Sequence, residues 1–382
     1  MRRCCFSQSW VQSTQALAVA WIALTPVARA METDVDEDNL ALGIRFWEPS
    51  LTLTTGGGYK DNVTLSHAAR ESSSFVRSGL EARLIRLPLD GTQVTLLVSG
   101  EDTRYLTSKS VDYEDTAVAQ AEVRKYIGDW QLAFGAEGGY LDEVIDLSIT
   151  ESNRMAVPVR GAVVRGRPVV QRDFDQGVWM SLELPGSRQY LDAPLDDYWE
   201  LGPKLTLGQS FANRSEVALS YTFTHRGYDN QLARDVTGAF IPGVTRSDGQ
   251  HDLALAVKLY CDKQRRWRSL TRASVRGNSD DAGGYFDYRR LQISQQLRFQ
   301  SKAWLISGEV RVARYEFPGQ TVSGPGSDQR SRTDVIVAVR AEGQIVKHLR
   351  LYTQFDREQT MSNLKLDEYE VNIVSGGVMV EF

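Results

Sequence analysis

The chain ends on "EYEVNIVSGGVMVEF", Glu368 to Phe382, and this stretch decides how the rest is read. Counted back from the end, Phe382, Val380, Val378, Gly376 and Val374 form one set, and Glu381, Met379, Gly377, Ser375 and Ile373 form the other. The first set is apolar and the second mixed, which is the period-2 signature of a strand lying between two different surroundings. A bare apolar strand edge pairs with other chains, so a strand of this kind needs neighbours on both sides. A closed barrel supplies them.

The same alternation recurs upstream. Leu51, Leu53, Thr55, Gly57 and Tyr59 make one such run, Trp130, Leu132, Phe134 and Ala136 another, and Val217, Leu219, Tyr221 and Phe223 stand against Glu216, Ala218, Ser220 and Thr222. Sixteen runs are expected, at 51–60, 74–87, 93–106, 117–127, 130–140, 159–172, 178–190, 198–207, 215–226, 251–261, 267–276, 288–299, 303–316, 333–343, 349–357 and 368–382, with fourteen or eighteen as the fallback counts. A length of about ten residues suits a tilted strand crossing a bilayer. The sixth run is the weakest, because it carries Pro158 and Pro168 and proline is poor in a central strand.

The connections alternate too. Those after even-numbered runs are short, such as the Asp90-Gly91 turn, whereas several after odd-numbered runs are long and polar, the longest being 227–250. Short turns on one side, long loops on the other and an even strand number are the arrangement of an antiparallel up-and-down barrel of the bacterial outer membrane, with both termini periplasmic. The competing fold class is a soluble sandwich or propeller. Against it stand aromatic residues near strand ends (Tyr59, Trp130, Tyr140, Tyr190, Trp199, Trp267 and Trp304), which suit two interfacial girdles. In this class Phe382, Val380 and Val378 are expected to form the C-terminal signal read by the barrel-insertion machinery.

The beginning of the chain fits the same address. Arg2 and Arg3, the apolar stretch Ala16 to Val27 and the Ala28-Arg29-Ala30 site read as a signal peptide over 1–30. An acidic segment at 31–48 then precedes a barrel at 49–382. Removing 1–30 takes away Arg2, Arg3 and Arg29 and no acid, which lowers the formal net charge from −5 to −8. A nucleic-acid partner is therefore not expected; outer-membrane lipid and lipopolysaccharide are. Cys4 and Cys5 leave with the signal, so Cys261 remains alone and no internal disulfide forms.

The segment Leu42 to Ser66 contains Pro49-Ser50-Leu51 and Gly58-Tyr59-Lys60-Asp61-Asn62. It resembles the opening of bacterial outer-membrane β-barrel porins associated with exopolysaccharide biosynthesis. The resemblance implies a part in the export or assembly of an extracellular polysaccharide, with export components as partners. The residues themselves leave a second reading open, a general or anion-preferring diffusion porin.

Little in the sequence points to an enzyme. The histidines are His67, His225, His251 and His348, and His225 with Ser220 or Asp229 is the one constellation that a hydrolase could use. No cofactor or metal site is expected. The Gly56-Gly57-Gly58 run reads as a place where a strand bends or a side chain passes, rather than as a phosphate cradle, and Asn62 reads as an ordinary loop residue. The inward face carries more information. Arg266, Arg268, Arg272 and Arg276 share one parity, Arg290 and Arg298 follow, and Arg311, Arg340 and Arg350 come next. The inward acids Glu101, Glu122, Glu137, Glu183 and Glu200 lie mostly in the first half. A basic face that guides anions is one account of this pattern, and wall-stiffening ion pairs are the other.

Overall fold

In the computed structural model, residues 47–149, 156–193, 195–211, 214–323 and 326–382 are described. They form sixteen antiparallel staves: β1 (Trp47–Lys60), β2 (Ser73–Leu89), β3 (Thr92–Tyr105), β4 (Tyr113–Ile127), β5 (Trp130–Asp146), β6 (Ala156–Asp173), β7 (Val178–Glu183 continuing as Gly186–Leu191), β8 (Tyr198–Leu201 continuing as Lys204–Ser210), β9 (Glu216–Arg234), β10 (Phe240–Tyr260), β11 (Trp267–Asp280), β12 (Tyr288–Gln300), β13 (Trp304–Thr321), β14 (Gln329–Val346), β15 (Leu349–Ser362) and β16 (Tyr369–Glu381). Each pairs with the next, and β16 closes on β1 from Thr52 opposite Glu381 to Lys60 opposite Ile373. The signal peptide expected at 1–30 and the acidic segment up to Phe46 lie outside the described residues. Trp47 and Glu48 already belong to β1, so the barrel starts before residue 49.

The two faces differ as the alternation requires. Leu53, Val98, Phe134, Leu219, Leu253, Ile293 and Val374 point outwards and are exposed, whereas the residues beside them point to the lumen. The seven aromatics expected at strand ends are all exposed on the outer face.

The prolines of the sixth run do not end it; β6 is continuous for 18 residues. In a hydrogen-bonded antiparallel pair both residues exchange N–H···O bonds. Leu184 donates to the Pro168 carbonyl (3.1 Å), Gly202 to that of Pro185 (3.2 Å) and Phe223 to that of Pro203 (3.0 Å), and in each pair the return bond is the one that a proline cannot make. The interruptions of β7 and β8 fall at these points. Register is unchanged across them, since Val169 faces Glu183 on one side and Gly166 faces Gly186 on the other. Eighteen ladder segments thus make sixteen staves.

The long-loop end differs from expectation. The 227–250 stretch is mostly strand: β9 and β10 run on, and only 235–239 connects them. Asp235 Oδ1 closes that turn by accepting from Thr237 N (2.8 Å), Thr237 Oγ1 (2.6 Å) and Ala239 N (3.0 Å). Asn62 is no ordinary loop residue either. It is fully buried and donates to Ser66 O (3.0 Å) and Glu370 O (2.9 Å), folding the first long loop inwards so that Val63 and Leu65 pack on Val371 and Ile373.

The glycine run lets side chains pass. A Cβ on Gly56 would lie 2.5 Å from the Tyr352 hydroxyl, and one on Gly58 would lie 2.6 Å from Phe75 Cζ and 2.3 Å from the Val374 carbonyl. Glycine is required there by close approach, at the seam where Gly56 faces Gly377.

Candidate functional site

Strand parity carries the charged side chains into the lumen, and cross-strand register decides which of them meet. In the first half of the barrel the inward acids are taken up by neighbouring cations. Glu101 bonds Arg77 (3.1 Å), Glu137 bonds Arg165 (3.4 Å), and Glu200 bonds Arg226 (2.6 Å). Arg167 spans Glu122 (3.1 Å) and Glu183 (2.9 Å), with Lys204 on the other oxygen of Glu183 (2.9 Å) and Arg124 on Glu122 (2.5 Å). This half is therefore a nearly neutral lattice and not the acidic face suggested by its carboxylates alone.

The sector β11–β13 is different. Arg268, Arg272 and Arg276 of β11, Arg290 and Arg298 of β12 and Arg311 of β13 all lie on the inward-facing set of their strands. Register sets Arg268 opposite Arg298 and Arg276 opposite Arg290. Like charges directly opposite repel. Asp252 of β10 compensates the second pair, accepting from Arg276 at 2.8 Å and Arg290 at 3.1 Å. Glu309 holds Arg311 at 2.9 Å, and Gln296 accepts from Arg268 at 2.9 Å. Arg340 and Arg350 are drawn to a shared acid, Glu342 (2.8 and 3.5 Å). Arg266 is not on the wall. It sits in the turn before β11, 3.4 Å from Asp262, because Trp267 starts the strand and places its ring in the girdle.

The mouth contains a feature that the sequence reading missed. Past the end of β5 the chain turns into the lumen and docks on the far wall. Asp146 pairs with Arg332 of β14, Ser148 Oγ accepts from the same guanidinium, and the Ser148 carbonyl accepts from Arg330 Nη2 at 2.8 Å. Leu147 packs beside Val159 of β6, while Ile149 packs on the Tyr288, Tyr315 and Phe317 cluster of β12 and β13. Arg330 is 1% exposed and is held by Asp367 (2.6 Å) and Gln320 (2.9 Å) over the Phe317 ring. Arg332 also bonds Asp334 (2.5 Å) and Thr360 (3.1 Å). The mouth is thus bridged from wall to wall. Arg330, Arg332 and Asp334 share one parity, which was the available signal, but Arg330 and Arg332 precede the run expected at 333–343.

The hydrolase constellation does not assemble. His225 lies on the outward set of β9, its ring 5.2 Å from that of Trp199, and Ser220 lies on the inward set. Asp229 is engaged by Arg188 at 2.9 Å. His251 is also on the outer face, with Nδ1 2.7 Å from the Tyr221 hydroxyl. Phe382 follows β16 and its main chain pairs with Leu51, Phe382 N donating to Leu51 O at 2.9 Å, while Val378 and Val380 belong to the outward set.

No protein-family model matches the sequence, and no curated protein matches it. Solved structures of similar fold include a BenF-like porin from Pseudomonas fluorescens Pf-5 (8% identity over 89% of this chain and 100% of that one, TM-score 0.49) and OccAB1 of Acinetobacter baumannii (9% identity, 89% and 97%, TM-score 0.48). A bacterial polysaccharide outer membrane secretin also matches (10% identity, 87% and 98%, TM-score 0.44). The likeness is one of fold.

Proposed function

We propose that the protein is an outer-membrane channel that passes small solutes and prefers anions. One observation carries this reading: six arginines on the inner wall of β11–β13 are met by Asp252 of β10 and Glu309 of β13, whereas the first half of the barrel balances its charges locally. Like charges lining a channel add to a common field, which salt screens over about 10 Å at 0.1 M. Planar-bilayer reversal potentials in a salt gradient test it. Anion preference that weakens at high salt is expected; an open pore that prefers cations would overturn the reading.

Export or assembly of an extracellular polysaccharide rests on the resemblance of Leu42 to Ser66, and the barrel adds no separate support to it. Periplasmic termini and recognition of Phe382 by the insertion machinery belong to the same proposal. Phe382→Ala is expected to slow assembly into membranes carrying that machinery without changing the folded barrel. An unchanged assembly rate would remove Phe382 from the signal.

A further inference from the structure

The arginines of the basic sector are not equivalent. β11 presents Arg268, Arg272 and Arg276 at intervals of four residues, about 13 Å apart along the strand. The first and last face a second arginine, Arg298 and Arg290 respectively. Arg272 instead faces Ala256 on one side and Ser294 on the other. It makes no hydrogen bond or ion pair with a described residue, and its Nε is shielded from solvent without a partner. The acid that acts on it is Glu309, already bonded to Arg311. The residues directly opposite it, Ala256 and Ser294, are short, as are Ser274 and Ala254 on the side of Arg276, whereas Leu270, Lys258 and Gln296 lie on the side of Arg268.

We infer that Arg272 is the rung on which a passing oxyanion docks. A guanidinium presents two parallel N–H donors that match a carboxylate or phosphate edge. Arg276, Arg290 and Arg311 already direct such donors at carboxylates, whereas those of Arg272 meet none. A half-buried guanidinium whose nearest acid is bonded to another arginine has lost hydration with little return, and a solute anion supplies the bonded partner that the wall does not. Occupancy is transient, because a conducting site must bind weakly enough to release. The inference rests on the channel reading and narrows it: selectivity belongs to one residue more than to the sector.

The experiment uses the full chain in planar bilayers, with folding of each variant checked by heat-modifiable migration. Reversal potential and block of chloride current by added inorganic phosphate are read for wild type, Arg272→Gln, Arg272→Lys and Arg276→Gln. Arg272→Gln is expected to bring the anion preference close to unity and to abolish phosphate block. Arg272→Lys should keep the preference but lose most of the block, since an ammonium lacks the fork. Arg276→Gln should lower the preference less than Arg272→Gln does and should keep the phosphate block. A wild-type pore that prefers anions, with Arg272→Gln unchanged or Arg276→Gln equally damaging, overturns the rung and leaves the channel intact. An inserted wild-type chain without conductance or without preference overturns the channel reading and the rung with it.

Discussion

Arg330 of β14 donates from Nη2 to the main-chain carbonyl of Ser148 at 2.8 Å, tying the segment after β5 to the opposite wall across 182 positions of sequence. Arg332 repeats the tie through Asp146 and Ser148. Removing one partner of a buried charge pair costs about 3–5 kcal/mol, because the other charge stays buried and uncompensated. Arg330→Ala is therefore expected to leave the barrel closed but to raise amide hydrogen exchange in peptides covering Ile145 to Ile149. Arg330→Lys should not restore protection, since lysine cannot bond Asp367, Gln320 and Ser148 from one planar group. Wild-type exchange in both variants would show that the apolar contacts of Leu147 and Ile149 suffice.

The seam between β1 and β16 is sensitive to single methyl groups. Gly58→Ala places a carbon 2.3 Å from the Val374 carbonyl, and the obstruction is backbone, which cannot swing away. Gly138→Ala meets nothing within 4 Å. The temperature at which the folded band disappears in heat-modifiable electrophoresis is expected to fall for the first and to stay for the second. Equal temperatures would mean that the seam opens enough to accommodate the methyl.

Ile293 and Ser294 are adjacent on β12 and point to opposite faces, Ile293 being 53% exposed on the outside. Ile293 lies roughly midway between the girdles, so Ile293→Arg is expected to cost about 2–4 kcal/mol in lipid. Ser294→Arg enters the lumen and should cost far less in reversible unfolding from bilayers. Similar costs would argue against this face assignment.

Cys261 is exposed in the turn between β10 and β11, on the same end as Trp47 and Glu381. With that end periplasmic, a membrane-impermeant maleimide should leave Cys261 unlabelled in intact cells and label it after the outer membrane is opened. Labelling of intact cells would invert the orientation.

All sixteen staves were legible in the sequence because a membrane imposes opposite demands on the two faces of every strand. Where that contrast ends, so does the signal. Asp229, Asn230 and Gln231 continue β9 beyond the outer girdle, where a polar face meets a polar face and no alternation marks a strand. The same lapse hid Arg330 and Arg332. The parity of the wall arginines was readable, but their partners were not: Arg167 reaches Glu122 two strands away and Glu183 on the adjacent strand, and such meetings depend on register and tilt. Arg272 and Arg276 look alike in sequence and differ in what the two neighbouring strands place opposite them, Ala256 and Ser294 for the first and Asp252 and Arg290 for the second.

A tube resists flattening through the struts between its staves. Where Pro168, Pro185 and Pro203 lie, three successive joints, from β6 to β9, each have one strut in place of two. Bending stiffness is lowest there, so the wall has a built-in crease running around part of its circumference. Lateral pressure from the bilayer, which a uniform cylinder would share evenly, is expected to concentrate at this line. The cross-section should yield there first, while the nearby sector, with its unbroken ladders from β11 to β13, keeps its curvature and holds its arginines in fixed relation.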